Sequence, residues 1–403
     1  MTTSPLPAST IYLPKGFAFS AVAAGIKASG RLDLALAEAS PGTTAAAVFT
    51  RNRVVAAPLE VDRTALAATR GRLRAVIVNA GNANCATGAA GIKACNQVCA
   101  ETARLLGLKA QEVFPSSTGI IGVPLPSQKI IAKLSDLTAA LQPTEDGMTQ
   151  FARAIMTTDL RMKTASARFL VGKKSVALIG IAKGSGMIHP QLATMLVYLF
   201  TDIAASPSEL QRLLWQACDQ TFNCISVDGD TSTNDTVLLM ASGKSGIPLH
   251  RARTKFSAAV LQVCQSLADQ IVSDGEGVKH VIRLSIERAR NREEALRIAK
   301  AIAHSLLVKT AWAGADPNWG RILAAMGNSG VPIQPDRVEI SIGDQIVYRN
   351  GGAHPFDEAR AHQHLSQAVC DIGIKLKRGG GSVLFQTTDL TADYVRINAD
   401  YST

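Results

Sequence analysis

A chain of 403 residues that is 47% hydrophobic and only 18% charged can bury a large core, which excludes a disordered protein and predicts two domains or two closely packed lobes. Its formal net charge of +10 admits nucleic acid or acidic metabolites as partners. No basic run alternates with aromatics as a stacking platform requires, and the basic stretch at 283–297 is interleaved with glutamates, so nucleic acid is not expected.

In chain order, short β-branched runs at 45–50, 73–78, 175–181, 236–240, 281–286, 337–342 and 383–386 predict strands. Apolar residues at three- and four-residue spacing predict helices over 93–106, 208–221, 255–272 and 292–307. Two helix starts are written in the letters: Ser206-Pro-Ser-Glu209 is a capping box with proline in the first turn, and Asn291 with Glu294 has the same spacing. Residues 337–348 alternate apolar and polar about Gly343-Asp344 and predict an antiparallel hairpin, which rules out a wholly parallel sheet. The sum is a mixed α/β protein. A shift to charge-rich composition near 280 and the Gly379-Gly-Gly381 breaker suggest a main domain of 1–280 and a C-terminal lobe of 281–403.

The first ten residues lack a basic and apolar leader pattern, and no apolar stretch reaches membrane-spanning length, so a cytoplasmic location is expected. Seven cysteines stand singly, predicting neither a disulfide framework nor a zinc site.

Several segments could carry chemistry. Lys183-Gly-Ser-Gly-Met-Ile-His-Pro190 precedes Gln191-Leu-Ala-Thr194 and the apolar run 195–200. That places a threonine just past a broken turn, where it either opens a buried helix or is presented as a nucleophile activated by its own α-amine after cleavage of the Ala193–Thr194 bond. His189 is the one histidine near it, and a turn role beside Pro190 is at least as good a reading as a catalytic one. Asn79-Ala-Gly-Asn-Ala-Asn-Cys-Ala-Thr-Gly88 follows a predicted strand like a phosphate-cradling loop, yet lacks both GxGxxG and the P-loop lysine; a turn-rich connector is the alternative. Ser116-Ser-Thr118-Gly119 offers a hydroxyl beside an unobstructed N–H, as an oxyanion hole requires. Asp228-Gly-Asp-Thr-Ser-Thr-Asn-Asp235 superficially suggests a calcium loop, but its glycine is misplaced and the twelfth position holds no glutamate, so an Asx turn is expected. Asp274-Gly-Glu276-Gly277 and Asp316-Pro-Asn-Trp-Gly-Arg321 could bind a charged amino acid or cap a helix.

Taken in order, Ala45-Ala-Ala-Val-Phe-Thr50, Asn79-Ala-Gly-Asn-Ala-Asn84, Ser117-Thr-Gly-Ile-Ile-Gly122, Met156-Thr-Thr-Asp159, Lys183-Gly-Ser-Gly-Met-Ile188, Ala193-Thr-Met-Leu196, the 228–235 and 316–321 segments and Ile397-Asn-Ala-Asp-Tyr401 resemble the ornithine acetyltransferase (glutamate N-acetyltransferase) family of arginine biosynthesis. The resemblance runs from Lys15 to Thr403. It implies an α-β-β-α sandwich like that of DmpA-type aminopeptidases with a smaller mixed α/β C-terminal lobe whose last residues return to the active site. It also implies a precursor that cuts itself between Ala193 and Thr194 into an α chain of 1–193 and a β chain of 194–403, assembled as a heterotetramer of two α and two β chains. Thr194 is then the nucleophile and Thr118 and Gly119 the oxyanion hole. Substrate contacts fall on Thr157 or its neighbour Thr158, Lys183, Thr194, Glu276, Asn398 and Thr403. The implied reaction moves acetyl from N2-acetylornithine to glutamate with no cofactor and no metal, and acetyl-CoA is a candidate second donor. A self-processing aminopeptidase or amidase on the same scaffold is the alternative. The chain departs from the family pattern in reading Gln191-Leu192 for Asn-Met, Val278-Lys-His280 for Ala-Thr-Lys, and Leu160-Arg-Met-Lys163 for Thr-X-Pro-Lys, which keeps only the lysine.

Overall fold

A computed structural model of the chain describes residues 10–189 and 195–400. In chain order come β1 (Phe17–Val22), β2 (Leu34–Ala39), β3 (Thr44–Phe49), α1 (Ala57–Ala68), β4 (Ala75–Asn82), α2 (Gly88–Leu106), β5 (Val113–Ile120), α3 (Ser127–Ala139) and α4 (Glu145–Ala154). Next are β6 (Lys163–Val171), β7 (Lys174–Lys183), β8 (Leu196–Thr201), α5 (Pro207–Gln220), β9 (Thr236–Ala241) and α6 (Arg253–Ser273). The remainder is β10 (Val281–Ala289), α7 (Arg292–Ala303), α8 (Leu306–Ala313), α9 (Trp319–Gly327), β11 (Glu339–Ile342), β12 (Gln345–Arg349), β13 (Gly352–Ala353), α10 (Glu358–Leu365), β14 (Val369–Lys375), β15 (Gly381–Thr388) and α11 (Ala392–Asp400).

Two sheets form the main body, ordered β1-β2-β4-β5 and β3-β9-β8-β7-β6. Their facing sides share one apolar core, with Phe17, Phe19, Val76, Val78 and Phe114 from the first sheet against Ile179, Ile181, Tyr198, Phe200 and Leu238 from the second. Edge-to-face ring contacts knit this layer, Phe19 lying 5.1 Å from Phe200 and 5.9 Å from Phe151 of α4, each such pair adding about 0.5–1.5 kcal/mol beyond area burial. The first sheet's outer face packs Leu34, Leu36 and Ile77 on Val98 and Cys99 of α2 and on Ile130 and Leu134 of α3. The second sheet's outer face packs Leu178, Val197, Leu199 and Leu239 on Leu210 and Leu214 of α5 and on Val260, Val263 and Leu267 of α6. The result is the expected α-β-β-α sandwich.

The 195–200 run is a strand, not a helix. β8 is central, antiparallel to β7 and parallel to β9, so both its faces are covered and it reads as continuous apolar sequence rather than alternating. A third, six-stranded sheet begins at Val281, ordered β13-β12-β11-β14-β10-β15, and packs on α7, α8 and α9 around Trp312.

The Ser206 capping box is present, with Glu209 N–H donating to Ser206 Oγ at 3.4 Å and Ser206 N–H donating to Glu209 Oε2 at 3.0 Å. At Asn291 only half of it forms: Asn291 Oδ1 accepts from Glu294 N–H at 2.9 Å, while the Glu294 carboxylate takes the Arg290 N–H instead. The helix expected over 292–307 breaks at His304-Ser305, where Ser305 Oγ accepts the Val308 N–H and caps α8. Residues 337–348 do form the antiparallel hairpin β11–β12, Ile342 opposite Gln345. No helix among the described residues is long and apolar enough to cross a membrane.

Candidate active site

Side-chain alternation decides which groups meet between the two sheets. On β5, Ser116 and Thr118 share the inward face with Phe114; on β7, Lys183 shares it with Ile179 and Ile181. Lys183 and Thr118 therefore face each other at the open end of the sandwich, and Lys183 Nζ donates to Thr118 Oγ1 at 3.2 Å. A cleft of about 220 Å³ opens there. Thr118, Gly119, Thr157, Thr158, Lys183, Glu276 and Asn398 all line it, as do Asp228, Asn234 and Tyr394. Six candidate positions taken from the sequence, scattered over 280 residues, thus converge on one site, and both threonines of the 157/158 pair reach it. Ala193, Thr194 and Thr403 lie outside the described residues.

Gly119 is fixed by backbone contact. Its φ is +131°, and a Cβ there would lie 2.5 Å from the Asn82 amide nitrogen and collide with Gly81. A bulge where β4 meets β5, between Gly81 and Asn82, makes that approach and turns the strand end into the cleft. Asn234 locks the same edge, its Nδ2 donating to Ala83 O at 2.7 Å and Ser117 O at 2.9 Å. The asparagines of 79–84 lead from β4 into a turn-rich connector tied by internal hydrogen bonds. They brace the β4–β5 end: Asn79 Nδ2 donates to Asn82 O at 2.8 Å, Asn79 Oδ1 accepts from Ser117 Oγ at 2.6 Å, and Asn82 Oδ1 accepts from Asn84 N–H at 2.8 Å.

Under the cleft floor runs a buried charge chain. Lys163 Nζ donates to Asp159 Oδ1 at 2.7 Å and to Asp274 Oδ2 at 2.6 Å, and all three side chains are buried. Asp159 also accepts the Gly184 N–H at 2.7 Å and the Thr157 N–H at 2.9 Å, so one carboxylate sets both the glycine turn after Lys183 and the 157 loop. Burial pushes the Asp159 carboxyl up, but Lys183, Lys163 and the Gly184 N–H outweigh it and hold the group at about 2. Lys183 goes the other way. Among the described residues it hydrogen-bonds the Thr118 hydroxyl and no carboxylate, and burial lowers its pKa against the pull of Asp159, Asp235 and Glu276. A buried cation that hydrogen-bonds a hydroxyl rather than a carboxylate is suited to receive an anion.

The opposite wall carries the negative charge. Glu276 N–H donates to Ser185 O at 3.2 Å and Ser185 Oγ donates to Asp274 O at 2.6 Å, lacing the 274–277 loop to the 184–187 turn. The Glu276 carboxylate lies directly over Gly186, where any Cβ would overlap it. Asn398 of α11 donates to Glu276 Oε2 at 2.9 Å, bringing the end of the chain back to the site, and Tyr394 of the same helix adds a ring that the sequence alone did not single out.

The 228–235 segment opens with the expected Asx turn, Asp230 N–H donating to Asp228 Oδ1 at 3.1 Å. Asp228 also accepts N–H groups from Met187 at 2.6 Å and Ile188 at 2.9 Å, pinning the turn that leads towards residue 190, and burial raises its carboxyl to about 6. Asn318 of the 316–321 segment caps α9, its Oδ1 accepting the Arg321 N–H at 3.3 Å. The 316–321 residues are absent from the cleft lining. His189 stacks on His304 with ring centroids 4.7 Å apart rather than lining the cleft. All seven cysteines are free and buried, and among the described residues no group of three or more His, Cys, Asp or Glu side chains is placed to hold a metal ion.

The ArgJ family profile matches residues 18–403. The arginine biosynthesis bifunctional protein ArgJ of Ruegeria pomeroyi is 43% identical over 402 residues, covering 99% of this chain and 98% of its own. Two solved structures are also similar. That of the Bacillus halodurans arginine biosynthesis bifunctional protein ArgJ is 40% identical, covers 51% of this chain and 98% of its own, and has a TM-score of 0.49. That of the Mycobacterium tuberculosis ornithine acetyltransferase complexed with ornithine is 38% identical, covers 46% of this chain and 96% of its own, and has a TM-score of 0.40. By its full-length sequence match the chain belongs to the ArgJ family.

Proposed function

We propose that this chain moves an acetyl group from N2-acetylornithine to glutamate through an ester on Thr194, after cutting itself between Ala193 and Thr194. The observation that carries the reading is the cleft in which Lys183 touches Thr118 beside Gly119 while Glu276 lines the facing wall. It offers an oxyanion site between a cation and a carboxylate, the charges that an N-acylated diamino acid and glutamate require.

The steps follow from the chemistry of these groups. Cleavage frees the Thr194 α-amine, whose ordinary pKa of about 7.7–8.0 suits a general base near neutrality. It takes the proton of the Thr194 hydroxyl as the oxygen adds to the acetyl carbonyl. Negative charge then develops on the carbonyl oxygen, and the Gly119 N–H and Thr118 O–H stabilise it. Because Lys183 Nζ donates to Thr118 Oγ1, the threonine hydrogen is left to point at the oxyanion. Collapse breaks the C–N bond, the ammonium returns its proton to the departing amine, and ornithine leaves. The glutamate amine attacks the acetyl ester by the reverse path, giving N-acetylglutamate and restoring Thr194. Lys183 holds the α-carboxylate common to both amino acids. Glu276, oriented by Asn398, holds the ornithine cation. The 157/158 threonines and Thr403 complete the substrate contacts.

The acetyl group rides on the chain's own residue, so the reading assigns no cofactor. We extend it to a second activity, N-acetylglutamate formation from acetyl-CoA and glutamate, because full-length relatives are named bifunctional. Assembly as two α chains of 1–193 with two β chains of 194–403, in the cytoplasm, completes the proposal.

Intact mass of purified wild type and Thr194→Ala tests the first step; two fragments from wild type and one 42.5 kDa chain from the variant are expected. N-acetylornithine mixed with glutamate should then yield ornithine and N-acetylglutamate in equal amounts. An uncleaved wild type overturns the mechanism, and ornithine without acetylglutamate reassigns the enzyme as a hydrolase.

A further inference from the structure

Met195 is the first described residue after the proposed cleavage point, and its backbone is held on both sides. Its N–H donates to Asp235 Oδ1 at 3.0 Å, and its carbonyl accepts the Thr236 N–H at 3.1 Å. Leu196 then enters the β8 ladder opposite Lys183 on one side and Thr236 on the other. The Met195 nitrogen is the amide of the Thr194–Met195 peptide. Asp235 therefore grips the single covalent link that ties Thr194 to the protein once residue 193 is detached.

The carboxyl that does this is an unusual choice for its surroundings. Asp235 is only 1% exposed, and its second oxygen, Oδ2, is buried with no hydrogen-bond partner among the described residues. Burial raises its pKa well above the ordinary carboxyl range, against the lowering influence of the Met195 N–H and the Lys183 ammonium. A neutral amide oxygen would also satisfy the Met195 N–H, at lower desolvation cost, so what the position requires is an acceptor oxygen rather than a charge. The neighbouring Asn234 is spent on Ala83 and Ser117, so the two consecutive residues hold the two halves of the site: Asn234 the oxyanion strand, Asp235 the nucleophile strand.

We propose that Asp235 is a positioning residue for Thr194, anchoring the nucleophile's chain end through the Met195 amide in both self-cleavage and acetyl transfer. The inference rests on the function proposed above. Its logic is that of a near-attack geometry: a nucleophile at a free chain terminus keeps its aim only as well as the first peptide behind it is fixed.

The test uses full-length precursor and follows cleavage by intact mass, then measures turnover per mole of cleaved enzyme, for wild type, Asp235→Ala and Asp235→Asn. Leaving a buried N–H unpaired should slow cleavage and lower kcat by about 10- to 100-fold in Asp235→Ala, with KM for both substrates within about twofold of wild type. Asp235→Asn keeps an acceptor oxygen of the same reach and should recover cleavage and kcat to within about threefold of wild type. Should the alanine variant fold poorly, the isosteric asparagine variant still decides. Wild-type rates in Asp235→Ala, a loss in Asp235→Asn as deep as in alanine, or an effect confined to KM overturns the assignment. A wild type that neither cleaves nor transfers would instead sink the proposed function, which the same experiment reads separately.

Discussion

Lys163 and Lys183 are both buried lysines of the same charge chain, and their removal should have opposite consequences. Lys163 sits 2.7 Å from Asp159 and 2.6 Å from Asp274. Lys163→Met strands two buried carboxylates beside one another, and breaking such a pair typically costs about 3–5 kcal/mol. Among the described residues Lys183 hydrogen-bonds the Thr118 hydroxyl at 3.2 Å and no carboxylate, and burial lowers its pKa, so its charge is held at a desolvation cost. When Lys183 is replaced by Met, Asp159 loses its attraction but keeps Lys163 and the Gly184 and Thr157 N–H groups, and relief of the Lys183 desolvation offsets the loss, so the stability change should stay within about 1 kcal/mol. Activity reverses the order. A charge-assisted bond to a substrate carboxylate contributes about 1.5–3 kcal/mol, so Lys183→Met should lose roughly 10- to 150-fold in kcat/KM. Urea unfolding followed by tryptophan fluorescence, run beside the transfer assay, separates the two. If Lys163→Met unfolds at the wild-type midpoint, or Lys183→Met is destabilised as much as Lys163→Met, the division into structural and substrate-facing cations is refuted.

Gly119→Ala should lose transfer by at least the ~100–1,000-fold typical of a missing oxyanion donor, because its Cβ cannot fit beside Asn82; a variant with near-wild-type kcat would remove Gly119 from the site. Glu276→Gln should raise KM for N-acetylornithine by about tenfold while leaving KM for glutamate nearly unchanged, read from initial rates with each substrate varied, since only N-acetylornithine brings a side-chain cation. Burial, His189, Lys309 and Lys300 hold the His304 imidazole down at about 3, and burial with Lys300 holds His189 at about 4. Both rings are therefore neutral in the fold, while in the unfolded chain they take protons below about pH 6.5. The stability they confer is present above that pH and is lost as pH falls towards 4. After allowance for partial exposure, the loss at pH 5 should be about 1–2 kcal/mol in urea midpoints relative to pH 7, and His304→Gln should flatten the slope.

What could be read from the letters was what local chemistry fixes. The Ser206 cap, the 337–348 hairpin and strands such as β3, β7, β9 and β10 carry their own signals, and the sandwich followed from the family motifs. β8 carried an ambiguous one, since a strand covered on both faces shows no alternation. Within the site, Thr118-Gly119 was legible because hydroxyl and glycine are adjacent in sequence. The braces were not. Lys163 meets Asp274 across 111 residues and Asn234 meets Ser117 across 117, distances over which no spacing rule operates. Asp235 and Tyr394 were likewise invisible as site residues, since their partners are a backbone amide and a loop brought in by the fold.

The same distinction explains two of the places where the chain departs from its family's pattern. At Leu160-Arg-Met-Lys163 the Leu160 and Arg161 N–H groups meet Asp274, at 3.0 and 3.3 Å, while the Leu160 side chain is 82% exposed; the side chains used are Lys163, which the family pattern keeps, and Met162, which packs on the core between the two sheets. At Val278-Lys-His280, the N–H groups of Lys279 and His280 meet Asp389 Oδ1 at 3.1 and 3.3 Å, and the loop's hold on α11 is the Gly277 carbonyl accepting from Thr391 Oγ1 at 2.7 Å. Leu160, Arg161 and Lys279 thus serve through backbone N–H groups that any residue other than proline supplies, whereas Val278 packs on the core and His280 Nδ1 meets the Gln367 carbonyl at 2.7 Å. Substitutions there leave Asp159, Lys163 and Glu276 where they are. The cleft should accordingly tolerate the family residues grafted back at 160 and 279 with transfer kinetics within about twofold of wild type, as expected for positions away from any packing or charge defect. A tenfold change in KM for either substrate on grafting would show that these side chains, and not only their backbone, shape the site.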